Sequence, residues 1–549
     1  MAVKPEIVRK AYELNHEVHK NAEQYRNSRL LAISKTGLVL PDRTIFPFEI
    51  GYDIKDIFTI GAFTHSSILM TGDSDYGKTA IAKLMLNGLF GKEEQGWHRI
   101  DVDTDFGKDA LTDTNFKVIT EGKKISEGLY SANGFLLLQG LIADEINRTH
   151  PTLANKLMHL FDKDITLPDG KRVKLGKVYN GGKTYQFQIA AINEGSDYTG
   201  TFDIDQAMRR RTTIEIPMNL YIPTPLDRLL IQKNNASRVL DLRNDQDRFE
   251  EVLQVHTGIE NKIPMHPTAE MFLSYLESFN YCKHSMTGEK TSVTTNNGSL
   301  RHVCTAPIAI DGVAIDGVAT GGGMSCKFLR SFENDLCPSV RGITPGVSSS
   351  LKEVAAGFAL LRATKFVEMM SGFIDGIPVK DGSYAVKNGE IWMDDKLEES
   401  LRIYTRNEKE TSFIQPQTPS RIDLAKAAVE KYISGLEIEI ADITSAMKFV
   451  GFSKTKISKA YVEKFYQGNK GAALDNFVNG ARIKFEEGLA KPELQNLAKV
   501  LSGKSTTDEL KRIKAYCDDE NPWLWRVISP YISTTRDEEP KHLTHLFGG

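Results

Sequence analysis

The sequence predicts an α/β fold, with a parallel sheet at its centre and helical domains after it. Between residues 51 and 218, three short apolar runs, SSILM, GLIA and FQIAAI, alternate with segments of helical periodicity. Such runs are typical of central strands in a parallel sheet, because both faces of these strands are buried. A glycine-containing loop follows the first run directly, and the pattern beyond residue 219 is mostly helical. These observations favour a parallel α/β core followed by helical domains.

Changes in periodicity and composition divide the chain into five regions. A segment at about 281–337 is rich in Gly, Ser and Thr and interrupts a helical pattern, so we expect an insertion there. Turn signals at 381–382 and 388–389 indicate a small hairpin. The expected regions are an N-terminal helical segment (1–50), the α/β core (51–218), a helical domain with the insertion (219–376), a hairpin-containing connector (377–419) and a helical C-terminal domain (420–549).

Composition excludes several classes of protein. The chain has 549 residues, with 69 basic and 72 acidic side chains and a net charge of −3, so no overall charge attracts nucleic acid or an anionic membrane. Its longest apolar run, 135–143, is too short to span a bilayer, and the N-terminal residues lack the apolar core of a signal peptide. The five cysteines are irregularly spaced, which indicates reduced thiols. We expect a cytoplasmic protein that does not enter membranes.

A phosphate-binding loop is predicted directly after the first apolar run. The stretch TGDSDYGKT has a glycine, four residues and then Gly-Lys-Thr, between an apolar strand and a helix. In such a loop the backbone N–H groups and the lysine hold phosphates, and the threonine hydroxyl binds Mg²⁺. The candidate nucleotide-binding residues are Gly72, Asp73, Ser74, Asp75, Tyr76, Gly77, Lys78, Thr79 and Ala80.

An acidic pair ends the second apolar run. LIADEINR places Asp144 and Glu145 at the end of a predicted strand, where one carboxylate can hold Mg²⁺ and the other can orient the attacking water. Taken alone, such a pair is equally typical of a solvated strand end. Its separation of about 65 residues from the loop suits two adjacent strands. We therefore expect Thr79 and Asp144 to be the metal ligands and Glu145 to be catalytic.

These motifs resemble the MoxR-like branch of the AAA+ ATPases, close to the dynein-related and McrB-type members. The resemblance rests on WHRIDVDTDFGKDALTD, LIADEINRTHPTLANKLMHLF, ITLPDGKRVKLGKVYNGGKTYQFQIAAIN and YTGTFDIDQAMRRR, in the family's order. It covers roughly residues 60–217, with weaker similarity through PSVRGITPGVSSSLKEVAAGFALLRA. The resemblance implies a P-loop core, a helical lid domain at 219–376, and ATP with Mg²⁺ as cofactors.

The resemblance also implies roles for residues outside the loop. Asn193, at the end of the third apolar run, corresponds to the sensor that positions water near the γ-phosphate, although a buried asparagine can also simply cap a turn. Arg211 corresponds best to the arginine finger, with Arg209 as the next candidate. Arg341 corresponds to the lid arginine called sensor 2. Two turn signals, at 169–170 and 180–182, predict the hairpin that precedes the sensor strand.

The loop departs from the family pattern, which commonly has Gly-Pro-Pro-Gly-x-Gly-Lys-Thr. Here Asp73, Ser74, Asp75 and Tyr76 stand in the middle. Backbone N–H groups and Lys78 supply most of the phosphate contacts, so we expect binding to be retained. A fixed carboxylate close to the phosphates weakens it through repulsion.

Three further patterns in the sequence resemble known metal-binding or DNA-binding motifs. DVDTDFG at 101–107 imitates the start of a calcium loop, but lacks its glycine and its final glutamate, so an EF-hand is excluded. Cys282, His284, His302 and Cys304 could bind zinc, although ordinary thiols and imidazoles explain them as well. Residues 445–465 suggest two helices with a turn at Gly451, which fits either a DNA-binding helix-turn-helix or a packed hairpin.

The motifs predict an ATPase, and the resemblance to MoxR-like proteins implies that it remodels or matures a protein complex. By resemblance it acts as a homo-oligomer, a hexameric ring, on a protein client, often with a von Willebrand factor A-domain partner. Two alternatives remain open. One is a McrB-like, DNA-directed motor or restriction component, and the other is a nucleotide-binding scaffold with little hydrolysis.

Overall fold

The computed structural model describes two compact units. The first comprises Met1–Pro264 and Glu353–Glu437, and the second comprises Met265–Lys352 and Ile438–Gly549. The described residues are 3–22, 30–39, 45–73, 76–102, 111–114, 130–148, 159–193, 206–220, 246–260, 262–278, 340–341, 343–375, 429–457, 466–489 and 507–519, with a few single or paired positions between them. The predicted insertion at 281–337, with its four candidate zinc ligands, and the connector at 377–419 lie outside them.

The first unit begins with a helix and an antiparallel strand pair. Helix α1 spans Pro5–Asn21 and packs its apolar side chains inward. Strands β1 (Ala32–Val39) and β2 (Ile45–Tyr52) pair in antiparallel fashion, although the sequence had predicted a helical segment over residues 1–50. Helix α2, Ile54–Thr64, follows at once.

A five-stranded parallel sheet forms the core of this unit. Strand β3 (Ile68–Thr71) leads into helix α3 (Lys78–Phe90) and strand β4 (Trp97–Asp101). The short strands β5 (Thr112–Thr114) and β6 (Tyr130–Ala132) form a separate antiparallel pair. Three more strands of the parallel sheet follow along the chain: β7 (Gly140–Asp144), β12 (Phe187–Ala191) and β13 (Ile214–Pro217). The sheet order is β13-β3-β12-β7-β4, with every pairing parallel. The α/β fold class is therefore confirmed.

One detail of the predicted sheet is wrong. The loop strand β3 and the acidic strand β7 are not adjacent, because β12 pairs with both of them. The sequence separation between two parallel strands limits the length of their crossover but does not fix how many strands lie between them. The insertion of β12 places Asn193 between the loop and the acidic pair.

Two hairpins lie between β7 and β12. Strands β8 (Asp164–Thr166) and β9 (Arg172–Lys174) form the first, and β10 (Lys177–Tyr179) and β11 (Lys183–Tyr185) form the second. Their turns contain Gly170, Gly181 and Gly182 at positive φ, which glycine adopts without strain. Both turns lie where the sequence predicted them, but they belong to two hairpins and not to the single hairpin expected.

The remaining helices of this unit are α4 (Gln206–Arg211) and α5 (Phe249–Ile259), together with the part of α7 from residue 353 onward. Helix α7 as a whole spans Pro345–Asp375.

Three helices of the first unit meet at Asp56, whose side chain is fully buried. Its carboxylate lies 3.0 Å from Nε2 of His19 on α1 and 2.9 Å from Nζ of Lys365 on α7. The backbone N–H of Asp53 also donates to it at 2.9 Å and forms part of a capping box at the start of α2. Burial acts to raise the pKa of Asp56, but the charges of Lys365 and His19 outweigh it and hold that pKa well below its ordinary value.

The second unit is helical where it is described. Helices α6 (Pro267–Ser278), α8 (Ile440–Lys454) and α9 (Lys470–Leu489) pack together, and Phe272 and Phe485 approach within 5.3 Å between ring centroids. A short antiparallel pair, β14 (Val340–Arg341) and β15 (Lys456–Ile457), and helix α10 (Thr507–Asp519) complete it.

The turn predicted at Gly451, within residues 445–465, is wrong. Helix α8 continues through Gly451, the expected turn, and ends at Lys454, after which residues 456 and 457 form a strand. A Cβ at Gly451 would lie 2.9 Å from Cδ1 of Leu474 on α9. This glycine therefore allows close packing between two helices instead of a turn.

In the described parts of the chain, no helix combines the length and apolar character needed to cross a membrane.

Candidate nucleotide-binding site

The loop between β3 and α3 requires glycine at both of its described glycine positions. Gly72 adopts φ 140° and Gly77 adopts φ 72°, in the left-handed region that other residues rarely occupy. A Cβ on Gly72 would also lie 2.4 Å from Oδ1 of Asn219. Ser74 and Asp75 lie outside the described residues, and Asp73, Tyr76 and Ala80 are half-buried. The loop therefore forms a tight backbone turn that opens directly onto a helix N-terminus.

Lys78 is directed back onto its own loop. Its ammonium group donates to the backbone oxygen of Gly72 at 2.8 Å and to that of Asp73, and the residue is only 7% exposed. The N–H of Asp73 donates to Oδ1 of Asn219 at 3.0 Å. Asn219 follows β13, so the neighbouring strand holds the start of the loop in place. The lysine has to exchange these carbonyls for phosphate oxygens when an anion binds.

Thr79 and Asp144 lie together, although one begins α3 and the other ends β7. The Thr79 hydroxyl donates to Oδ2 of Asp144 at 2.7 Å, and Asp144 is 4% exposed. A hydroxyl and a carboxylate oxygen are hard ligands of the kind that Mg²⁺ prefers. The donor set therefore fits a magnesium ion held beside the loop.

Glu145 and Asn193 also meet, across β7 and β12. The side-chain amide of Asn193 donates to Oε1 of Glu145 at 3.1 Å, and Arg148 pairs with the same oxygen at 3.1 Å. Asn147 fixes the end of β12, because its amide donates to the Asn193 backbone oxygen at 2.7 Å. Glu145 adopts φ 55°, a conformation that costs a non-glycine residue roughly 1–3 kcal/mol. The Glu145 carboxylate is thus held at the carboxyl end of the sheet by a strained backbone and by two side-chain partners.

The arginines near α4 have different surroundings. Arg209 pairs with Glu215 at 2.5 Å, and Glu215 is 1% exposed, so this arginine is needed to neutralise a buried carboxylate. Arg211 is half-buried and pairs with Asp162, which is also partly exposed. Of the two candidates for the arginine finger, Arg211 can leave its partner more easily, because the partly exposed Asp162 carboxylate can be hydrated instead. Arg341 lies on β14 of the second unit, paired in register with Lys456.

The sequence did not predict the site contacts made by three residues: Arg99, Asn147 and Asn219. Arg99 lies on β4 with Nη2 at 3.1 Å from Oδ2 of Asp144, and it also pairs with Asp101. The alternation RID in the sequence places Arg99 and Asp101 on one face of a strand and could have indicated an ion pair. No sequence signal identifies Asn147 or Asn219, since their contacts depend on which strands are neighbours.

Comparisons with known proteins add little. No protein-family model matches the sequence. No curated protein sequence matches it significantly. Among solved structures, the chain is similar to that of a "putative ATPase" from Cytophaga hutchinsonii: the two are 14% identical, the match covers 75% of this chain and 98% of the other, and the TM-score is 0.38. A TM-score that low supports no conclusion about activity, so function is argued from the site itself.

Proposed function

We propose that this protein is a Mg²⁺-dependent ATPase of the AAA+ type. One observation carries the proposal: at the carboxyl end of the parallel sheet, the Thr79–Asp144 contact and the Glu145–Asn193 contact lie at the ends of β7 and its neighbours, beside a glycine loop that begins a helix. Ligands of parallel α/β proteins bind at this end of the sheet. A solvated strand end would not require Asp144 to be buried or Glu145 to be strained.

Each residue has a distinct part in the proposed reaction. Lys78 leaves the Gly72 and Asp73 carbonyls for the β and γ phosphates, beside the N–H groups that begin α3. Thr79 and Asp144 hold Mg²⁺, which neutralises phosphate charge when it is bound.

The same residues divide the hydrolytic step between them. Glu145 orients a water and takes its proton as the water oxygen bonds to the γ phosphorus, while the bond from that phosphorus to the bridging oxygen breaks. Asn193 holds Glu145 in position through the hydrogen bond that it donates.

The finer assignment extends the resemblance to MoxR-like proteins. In this proposal the protein forms a hexameric ring that remodels a protein complex, with Arg211 reaching nucleotide on a neighbouring subunit and Arg341 contacting it from the lid. The protein client, and a von Willebrand factor A-domain partner, are part of the proposal. The DNA-directed alternative has less support than the sequence suggested, because α8 continues through the expected turn of the helix-turn-helix.

Nucleotide titration and phosphate release test the core of the proposal. We expect the natural protein to bind ATP with Mg²⁺ and release phosphate, and Lys78→Ala to lose binding. Glu145→Gln should bind but not turn over, because an amide cannot accept the proton of water. Lys83→Ala is the matched control, since Lys83 lies on the same helix but pairs with Glu93 at 3.5 Å. Unchanged ATP affinity in Lys78→Ala would contradict the loop assignment.

Mixing two inactive variants tests the ring. Arg211→Ala lacks the finger and Lys78→Ala lacks the nucleotide site, so mixed rings contain some interfaces with both intact. Recovered turnover on mixing supports action in trans, where such fingers contribute roughly 10³-fold or more. Arg210→Ala serves as the control, because Arg210 is an exposed neighbour on the same helix. Full turnover of Arg211→Ala alone would remove it from the mechanism.

A further inference from the structure

Arg99 contacts two carboxylates that lie side by side on neighbouring strands of the sheet. Asp101 on β4 and Asp144 on β7 are direct partners in the parallel register. Like charges placed opposite each other repel. Arg99 lies two residues before Asp101 and therefore on the same face of β4. Its Nη2 atom is 3.1 Å from Oδ2 of Asp144 and also contacts Oδ1 of Asp101, so one guanidinium neutralises both carboxylates.

The oxygen that Arg99 contacts is also the one that receives the Thr79 hydroxyl hydrogen bond at 2.7 Å. Arg99 thus places a positive charge at the carboxylate that would hold Mg²⁺ under the proposed function. Two cations at one carboxylate repel each other, so Mg²⁺ and this guanidinium would compete.

The two carboxylates differ in their exposure. The Asp144 side chain is 6% exposed, whereas that of Asp101 is 68% exposed. Asp101 therefore gives the guanidinium a solvent-accessible acceptor beside the buried one. A small rotation of the Arg99 side chain can release Asp144 without leaving the arginine unpaired.

We propose that Arg99 is the counter-ion of Asp144 in the Mg²⁺-free protein and that Asp101 receives its guanidinium when Mg²⁺ and nucleotide bind. Arg99 is then a positioning residue that sets the Mg²⁺ concentration at which the site fills. This inference rests on the proposed function, because it takes Asp144 as a metal ligand.

The test is a Mg²⁺ titration of nucleotide binding, without turnover. A fluorescent, non-hydrolysable ATP analogue is held at fixed concentration, and its binding is followed as Mg²⁺ is added. In Arg99→Gln, the half-saturating Mg²⁺ concentration should fall by about three- to tenfold, the effect of removing one nearby charge at a partly solvated site. Arg172→Gln is the matched control, because it removes an exposed arginine from an Arg–Asp pair with Asp164 on a hairpin. That control should leave the titration unchanged.

A double-mutant cycle separates competition from simple loss of charge. Asp101→Asn should raise the half-saturating concentration when Arg99 is present, because the guanidinium is then confined to Asp144. In the Arg99→Gln background the same change should have a smaller effect, since the two residues act through each other. Equal effects in both backgrounds would show that Asp101 acts only through its own charge and would overturn its place in the proposal.

The remaining outcomes are also decisive. A raised or unchanged Mg²⁺ requirement in Arg99→Gln would overturn the inference while leaving the ATPase proposal intact. Failure of the natural protein to bind the analogue at any Mg²⁺ concentration would overturn both. If Arg99→Gln does not fold, Arg99→Lys keeps a positive charge but loses the planar fork, so it should give a smaller fall. No fall in that variant would overturn the inference.

Discussion

The buried carboxylate of Asp56 offers a direct measure of what holds the first unit together. Asp56→Asn keeps the size of the side chain and an oxygen that can accept from the Asp53 N–H, but it removes the charge facing Lys365 and His19. Removing one partner of a buried ion pair typically costs about 3–5 kcal/mol. Burial acts to lower the pKa of Lys365, but the charges of Asp56 and Asp53 outweigh it and raise that pKa, so Lys365 keeps one carboxylate partner in Asp56→Asn. We therefore expect a loss near the lower end, about 3 kcal/mol.

The cost should depend on pH in a defined direction. The pKa of Asp56 in the folded protein lies below its unfolded value of about 3.9. Its contribution to the free energy of unfolding is thus complete above about pH 4 and is lost as the pH falls toward the folded pKa. The gap in stability between the natural protein and Asp56→Asn should therefore narrow as the pH falls below about 4.

Urea unfolding at several pH values, followed together with hydrogen exchange of helix 54–64, measures this gap within the first unit. The control is Glu49→Gln, which breaks the exposed pair with Lys35, and exposed pairs contribute at most about 1 kcal/mol. A cost below about 1 kcal/mol for Asp56→Asn at pH 7 would refute the reasoning. So would a gap that stays unchanged down to about pH 3, because the linkage argument requires it to narrow.

Three further predictions concern single contacts. Gly72→Ala should greatly weaken nucleotide binding in a titration, because alanine is strained at φ 140° and its Cβ meets Asn219, and Asn219→Ala should restore only part of the loss. In urea unfolding, Lys163→Met should be more stable than the natural protein near pH 7 and should lose this advantage toward pH 10. Burial lowers the pKa of Lys163 to about 7 in the folded protein, so the natural protein gains stability as the pH rises from about 7 toward the pKa of an unfolded lysine. Arg209→Ala should lower the free energy of unfolding by about 2–4 kcal/mol by leaving buried Glu215 unpaired, whereas Arg211→Ala should change it by less than about 1 kcal/mol.

Local patterns in the sequence were sufficient for the parts of the site that are themselves local. The apolar runs predicted β3, β7 and β12. Polar residues directly after these runs had to lie together at the carboxyl end of a parallel sheet. The loop glycines were predictable because their backbone conformation excludes other residues. Contact of Thr79 with Asp144 followed from these two facts together.

Other features depend on packing that the sequence does not encode locally. The β1–β2 pair contains Gly37 and Pro47 in register, and both residues normally argue against a strand. Proline is tolerated there because a two-stranded ribbon has only edge strands. Gly451 had the appearance of a turn because a glycine that allows close helix packing and a glycine in a turn look alike until the neighbouring helix is known.

The contacts within the candidate site imply that nucleotide binding is an exchange rather than a simple addition. Lys78 is bound to loop carbonyls, and Asp144 is bound to Arg99. A charged group that gives up one hydrogen-bonded partner for another gains only the difference between the two interactions. The affinity for nucleotide is therefore set as much by the partners that are released as by the phosphates that replace them. Substitution of Arg99, a partner that has to be released and never touches nucleotide, should consequently shift binding in the favourable direction.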